Sequence, residues 1–436
     1  MATSDSGPLF IKAANCFGEY KDKFYISNLM KEVINEIRHE NVVQVITDNA
    51  SACKAAGELI MSEFPRIYWT PCVVHTLNLA LKNICSPRNA DNNEMAYDEC
   101  HWINDIHLEA VGIKNFIMNH GMRLFIFGKF TPLRLLSIAD REDDTVKASI
   151  VKEKILDDDW WHKVSYILSF TGPIYDMIRF CDTDKPYLHL VYEMWDSMIE
   201  KVKAEIYKKE RRPLSARSIF YDVVHQILVA RWAKNNTPLH CLAHSLNPRY
   251  YSDSWLLGDF ARVAPHRDGE VSLKRQKCFK RLFPNEDEHS RVLEEYASFS
   301  MKTGPFQDLL CITKMDEMEP KSWWANFGAR TPLLQTLAFK LLGQPSSFSC
   351  AERNWSTYAF IHSLRRNRLT TSRAQDLVYV HNNLRLLSRA PNDDLKMWDI
   401  GGDTFDTMDI EDVGFLQFAD LSLDEPDLEN GLFDNI

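Results

Sequence analysis

The sequence predicts an α/β protein whose layer of strands and helices is interrupted by a long all-helical segment. Between residues 8 and 90, strand patterns alternate with helical patterns, which is the order typical of an α/β layer. From about residue 100 to 310 the strand signal is absent, and long helical patterns replace it. A third region, 331–388, brings back short elements separated by breaks, and we expect it to complete the layer.

Periodicity defines the elements of the first region. Apolar residues recur on one helical face from Ile26 to Ile37, at i, i+3, i+4, i+7, i+8 and i+11. The segment 41–47 (NVVQVIT) is rich in β-branched residues, which is typical of a strand buried on both faces. The predicted elements are strands at 8–15, 41–47 and 67–69, and helices at 26–37, at 51–63 and from Cys72 onward.

The elements that follow are helical. Clear apolar periodicity predicts helices at 160–181 and 192–207. Pro332 opens another helix, because proline suits the first helical turn. A further helix carries Glu352, and a final helix begins at Ser372. Beyond about residue 390 the chain is acidic with isolated aromatic residues, which predicts disorder.

Charge is unevenly distributed along the chain. The net charge is −10, but residues 399–436 contain twelve Asp or Glu and no Lys or Arg. The preceding 398 residues therefore carry a net charge of about +2, so the composition does not exclude a nucleic-acid partner. Two basic runs, 208–212 and 365–368, could bind phosphates or could simply be solvated surface.

The cysteines and the apolar segments bear on where the protein is found. The ten cysteines are scattered, without the paired spacing of a zinc ribbon or a disulfide framework, and we interpret them as reduced intracellular thiols. The first residues do not have the pattern of a signal peptide. No run of about 18 apolar residues occurs, so the sequence predicts no membrane partner.

Two carboxylates are candidates for chemistry. Asp48 follows the 41–47 strand, at the edge of an α/β sheet where ligands and metals bind, although it could instead cap the next helix. Glu352 lies in the first turns of a helix, where a carboxylate also has a purely structural use. Cys72 and His75 have half the spacing of a zinc site, but a closed zinc site needs four ligands.

The final helix carries a candidate interaction surface. Leu377, Val380, Leu384 and Leu387 recur at spacings of three, four and three residues, which forms an apolar seam along the helix. The seam could pair with another chain, or it could pack only against its own domain.

Two separated groups of motifs resemble one protein family. The first group is 47–57 (TDNASACKAAG) and 69–79 (WTPCVVHTLNL); the second is 345–356 (PSSFSCAERNWS) and 366–369 (RNRL). The first resembles the conserved catalytic domain of plant hAT-type DNA transposases, and the second resembles their C-terminal dimerisation region. The resemblance covers about 8–90 and 320–390 strongly, and the helical middle in character and order.

The resemblance implies an RNase H-like core that is interrupted by a large all-α insertion. It divides the chain into 1–95, the first part of the core; 96–320, the helical insertion; 321–390, the dimerisation region that completes the core; and 391–436, the acidic tail. In such transposases two Asp and one Glu hold Mg²⁺ or Mn²⁺ for phosphodiester cleavage and strand transfer. Asp48 matches the second Asp and Glu352 matches the Glu, while Cys72 and His75 match a motif that supports the reaction.

The sequence also departs from this family. Its members carry a zinc finger and two strands upstream, and the first of these strands bears the first catalytic Asp. This chain begins after them, so we expect an incomplete core; Asp5 is not on a predicted strand and is not assigned as the missing ligand. A family segment after Leu136 also looks deleted.

These observations leave two functions open. The first is a transposase-derived nuclear protein that dimerises with itself or with related hAT proteins, and retains weak DNA binding without transposition activity. The alternative is a truncated version of an active cut-and-paste transposase, in which upstream sequence supplies the zinc finger and the first Asp.

Overall fold

The computed structural model describes residues 1–4, 7–14, 16, 18–90, 93–118, 142–349, 351 and 371–387. Most of these residues are helical, and the strands form two small two-stranded sheets. The α/β prediction therefore holds only in a coarser form, that of a mainly helical protein with small sheets. The predicted tail, 391–436, lies outside the described residues.

The N-terminal segment alternates strands and helices. The hairpin strands β1 and β2 pair antiparallel, whereas β3 and β4 pair in parallel with Gln44 opposite Tyr68 and Thr47 opposite Pro71. The elements are β1 (Ala2–Ser4), β2 (Gly7–Leu9), α1 (Lys23–Glu36), β3 (Gln44–Thr47), α2 (Ser51–Glu63), β4 (Tyr68–Pro71) and α3 (Val73–Cys85).

Helices make up the rest of the described chain. They are α4 (Glu94–Met118), α5 (Glu142–Ile155), α6 (Asp158–Cys181), α7 (Val191–Glu210), α8 (Ile219–Asn235), α9 (Pro238–Ser245), α10 (Asp253–Leu257), α11 (Gly269–Leu282), α12 (Glu286–Ser300), α13 (Leu309–Glu317), α14 (Pro320–Phe327), α15 (Pro332–Leu341) and α16 (Thr371–Leu387). In the described part, no helix is long and apolar enough to cross a membrane.

Two predicted strands differ from those observed. The strand expected at 8–15 is only Gly7–Leu9, because a side chain of α16 rather than a strand binds the backbone of Phe10. The strand expected to be buried on both faces, β3, is half-buried along its length. Among the described residues β3 has one neighbouring strand, β4, and it is β4 that is buried throughout.

The chain forms two compact units, each discontinuous in sequence. Within the described residues, the first unit comprises Met1–Asn78, Met177–Asp196 and the chain from Trp232 onward. The second comprises Leu79–Asp176 and Ser197–Arg231. The N-terminal strands and α16 thus belong to the same unit.

Close packing of α2 on β4 fixes the sheet of the first unit. At Gly57 an added Cβ would lie 2.2 Å from Cγ of Trp69, so only a residue without a side chain fits there. The Trp69 indole donates a hydrogen bond across the sheet to Oγ1 of Thr47 (2.9 Å). The loop between α2 and β4 is held by Arg281, whose Nη2 lies 2.5 Å from the carbonyl oxygen of Met61.

An aromatic core fills the helical part of the first unit. Both tryptophans of α14 are fully buried, and each indole N–H has a partner: Trp323 donates to the carbonyl of Cys311 (3.0 Å) and Trp324 to that of Leu246 (2.7 Å). Satisfying these polar groups allows the large rings to be buried without an unpaired donor. The rings packed around them include Phe299, Phe306 and Phe327.

Candidate functional site

Asp48 lies where β3 ends and α2 begins. Its Oδ1 accepts a hydrogen bond from the backbone N–H of Ala50, the N-cap of α2, at 3.3 Å. Burial, together with the neighbouring charge of Asp48, raises the pKa of the Cys53 thiol in the first turn of α2 to about 12. The carboxylate is thus at the sheet edge and also contacts the start of a helix, so its position fits both interpretations offered by the sequence.

Cys72 and His75 are buried beside this edge. The backbone N–H of Cys72 donates to the carbonyl of Thr47 (2.9 Å), which extends the β3–β4 ladder by one bond. Cys72 is completely buried and His75 is almost so. Among the described residues, no group of three or more Cys, His, Asp or Glu side chains is arranged to hold a metal ion.

A polar chain that the sequence did not predict connects the Asp48 loop to the helical region. The Asn49 amide donates to Oγ1 of Thr76 (2.9 Å), and the Thr76 hydroxyl lies 3.1 Å from Oδ1 of Asn235. Asn235, the last residue of α8, is completely buried. Asn49 and Thr76 lie within the two N-terminal motifs, which was a usable signal, but nothing in the local sequence singled out Asn235.

The C-terminal motif meets the N-terminal one. The backbone N–H of Val73, the first residue of α3, donates to the carbonyl of Ser346 (3.2 Å). Ser346 and Ser347 are both buried, and the Ser347 hydroxyl donates to the carbonyl of Cys181 (2.8 Å). The segment that immediately precedes Glu352 is therefore bonded to the helix that carries His75. Glu352 itself lies outside the described residues.

The predicted seam is on the exposed face of α16. Leu377, Val380 and Leu384 are 44%, 51% and 61% exposed, values that are high for aliphatic side chains on one helical stripe. The fourth predicted member, Leu387, ends the helix, and its side chain lies outside the described part. The interpretation that the seam packs against its own domain is therefore not supported at the three described positions.

The opposite face of α16 is the one that packs within the chain. Val378 and Asn382 are buried there, and Asn383 clasps the backbone of Phe10. Its Oδ1 accepts from the Phe10 N–H (3.0 Å), and its Nδ2 donates to the Phe10 carbonyl (3.1 Å). The ring of Tyr379 meets the Phe10 ring edge-on, with centroids 6.1 Å apart. We call this arrangement of Asn383 and Phe10 the clasp.

Two segments of the chain match known protein families. Residues 1–113 match a family described as a domain of unknown function, DUF659, and residues 290–384 match the hAT family C-terminal dimerisation region. These matches indicate an hAT-like, transposase-related protein. The second match contains all three exposed seam residues and the segment bonded to Val73, which supports self-association. No curated protein matches the chain significantly.

Proposed function

We propose that this chain is a nuclear, transposase-derived protein that dimerises through its C-terminal region, with a second copy or with a related hAT protein, and retains weak contact with DNA. One observation carries the dimerisation. The helix α16 is held by one face, through the clasp, while an apolar stripe on its other face remains exposed. That stripe lies inside the segment that matches a dimerisation region.

We also propose that the chain contains an RNase H-like core, divided as 1–95 and 321–390, with 96–320 inserted. Support comes from the parallel pair β3–β4, connected through α2, since such a crossover is the building block of α/β layers. The hydrogen bond between Val73 and Ser346 adds support, because it joins the two parts of the proposed core. The family matched by residues 1–113 is associated with the same fold.

For the chemistry, we propose that Asp48 and Glu352 are the remnant of a metal site, with Cys72 and His75 as supporting residues. Carboxylate oxygens are the ligand type that Mg²⁺ and Mn²⁺ prefer, and Asp48 is at the sheet edge where such ligands converge. A bound ion would activate water or a DNA 3′-hydroxyl. Only two carboxylates are assigned by the resemblance where three are needed, so our proposal excludes transposition; the alternative is an active enzyme that is completed by upstream sequence.

Burial of the seam would provide the driving force for dimerisation. Removing apolar surface from water contributes roughly 25 cal/mol per Å², before the costs of association are subtracted. A stable interface typically buries about 1,600 Å² in total, which is more than three side chains supply. Further apolar surface of the same C-terminal region would therefore be expected to take part.

The test is sedimentation of the full chain at micromolar concentration. We expect the wild type to be dimeric and the double variant Leu377→Glu/Leu384→Glu to be monomeric with unchanged helical content, because carboxylates at the centre of an apolar seam are costly to desolvate. A matched control, Leu168→Glu/Leu273→Glu, places the same charges at two exposed leucines of other helices and should stay dimeric. A monomeric wild type, or a double variant that still dimerises, would refute the proposal.

A further inference from the structure

An exposed basic turn joins α7 to α8 in the second unit. Five cationic side chains lie on the surface within ten positions, and none of them is buried. The last turn of α7 supplies two of them, and the connection to α8 supplies the other three. We call this set the basic turn; its members are Lys208, Lys209, Arg211, Arg212 and Arg217.

The backbone of the basic turn is fixed by hydrogen bonds. The N–H of Arg212 donates to the carbonyl of Tyr207 (3.0 Å) and the N–H of Arg211 to that of Lys208 (3.3 Å), the two bonds that define a Schellman motif at a helix C-terminus. The Tyr207 hydroxyl donates to the carbonyl of Ala216 (2.8 Å), which closes the turn. The cationic side chains therefore extend from a backbone whose conformation is fixed.

Arg211 occupies the position where a Schellman motif favours glycine. Its φ is +53°, in the left-handed region, where a residue with a Cβ is less stable than glycine by about 1 kcal/mol. Arginine at this position therefore lowers the stability of the fold while adding an exposed charge.

The cations of the basic turn are only partly neutralised. Lys209 donates to the uncharged hydroxyl of Ser165 (2.8 Å), and among the described residues Arg211 forms no ion pair. Lys208 lies 3.4 Å from a carboxylate oxygen of Glu205, but its side chain is 72% exposed, so water screens the pair strongly.

The acidic side chains nearest the basic turn, Glu210 and Asp222, form hydrogen bonds and ion pairs with residues in and around the turn. Oε1 of Glu210 accepts hydrogen bonds from the hydroxyls of Ser218 (3.0 Å) and Tyr166 (3.3 Å), and its other oxygen lies 3.5 Å from Nε of Arg212. Asp222 accepts from Nε of Arg217 (2.7 Å), whose side chain nevertheless remains 81% exposed. The outward-facing charge of the turn is therefore positive.

We propose that the basic turn binds the phosphate backbone of double-stranded DNA without regard to sequence. This inference rests on the proposed function and identifies the surface that would make the DNA contact proposed there. Arginine and lysine groups on a rigid turn suit phosphate oxygens, because a fixed guanidinium can donate two parallel bonds to one phosphate. A membrane surface fits less well, since the turn carries a single exposed leucine, Leu214, where membrane binding needs a broad apolar face.

The test measures binding of the full chain to a random 30-base-pair duplex by fluorescence anisotropy over a range of salt concentrations. The variant Lys208→Gln/Lys209→Gln/Arg211→Gly removes three charges. Because glycine adopts a positive φ without steric cost, the substitution at Arg211 should not lower the stability of the fold. Each phosphate contact contributes about 0.9 to the slope of log K against log salt concentration. We therefore expect the variant to bind more weakly and its slope to fall by roughly 2 to 3.

A charge-matched control separates this contact from the effect of net charge. Arg66, Lys277 and Lys280 are exposed cations elsewhere in the chain, and the triple variant Arg66→Gln/Lys277→Gln/Lys280→Gln should keep the wild-type slope. Equal losses in both variants, or an unchanged basic-turn variant beside a wild type that binds DNA, would overturn the assignment of the surface. Tighter binding to anionic phosphatidylserine vesicles than to the duplex would also overturn it. A wild type that binds no DNA would refute the DNA contact in the proposed function itself, whatever the variants do.

Discussion

Replacing Asn383 by leucine should release the N-terminal hairpin from α16. The Asn383 amide provides both hydrogen bonds to the Phe10 backbone, at 3.0 and 3.1 Å, and both groups are buried. Leucine is similar in size and favours a helix, so α16 itself should form as before. What is lost is the pairing of one backbone N–H and one backbone C=O of Phe10, for which no other described residue is a partner.

The expected loss of docking free energy follows from the two hydrogen bonds between Asn383 and Phe10. Each contributes about 0.5–1.5 kcal/mol net, and a buried backbone group left without a partner costs about 1–3 kcal/mol. Release of the hairpin into water avoids that second cost, so docking should weaken by roughly 2 kcal/mol, which corresponds to about 30-fold in the local equilibrium. Hydrogen exchange at the Phe10 amide measures this equilibrium directly, and its protection should fall by about that factor.

The neighbouring residue provides the control. Asn382→Leu makes the same chemical change one position earlier on α16, at a buried amide whose nitrogen has no hydrogen-bond partner in the described part of the chain. Asn383→Asp, which keeps the acceptor and loses the donor, should lie between the wild type and Asn383→Leu. If Phe10 protection is the same in Asn383→Leu and Asn382→Leu, the clasp does not hold the hairpin.

Three further predictions concern the packing, the pH dependence and the chemistry. Gly57→Ala should lower the free energy of unfolding by about 1–3 kcal/mol, because its Cβ would overlap the Trp69 indole; Gly112→Ala, with nothing within 4 Å, should not, and urea denaturation compares the two. Burial lowers the pKa of His189 from 6.5 to about 4, so the folded state favours the neutral ring. Stability should therefore be greatest above pH 6.5 and fall toward pH 4, with a shallower slope for His189→Gln in urea titrations at each pH. In Mg²⁺ or Mn²⁺ these 436 residues should not nick plasmid DNA, and nicking that Asp48→Ala abolishes would refute the predicted loss of activity and make Asp5 a candidate for the missing ligand.

Local sequence patterns were sufficient for most N-terminal elements. The helix predicted at 51–63 is observed as Ser51–Glu63, because its boundaries depend on signals within the segment itself. The strand predicted at 8–15 was wrong beyond Leu9, since the group that binds the Phe10 backbone is 373 positions away. No window of a few residues contains that information.

The candidate site was likewise only partly predictable from local sequence. The position of Asp48 at the end of β3 followed from the rule that polar residues after a strand lie at the carboxyl edge of a sheet. The hydrogen bond that brings Ser346 to Val73 was expected only through the family resemblance, which predicted that the two motifs belong together. Asn235 could not have been found, because a buried asparagine at a helix end has no pattern that distinguishes it from a surface one.

The two faces of α16 show why spacing alone could not decide the role of the seam. Leucines at three- and four-residue intervals would ordinarily be expected to face the core, yet the buried face carries Asn382 and Asn383, of which Asn383 provides the polar partners of the Phe10 backbone. Contacts within the chain and the proposed contacts between chains would thus use opposite sides of one helix. The energies of the clasp and of the seam should therefore be nearly independent, and Leu377→Glu/Leu384→Glu should leave Phe10 as well protected as in the wild type. If protection is lost in that monomeric variant, dimerisation rather than the clasp is what holds α16 in place.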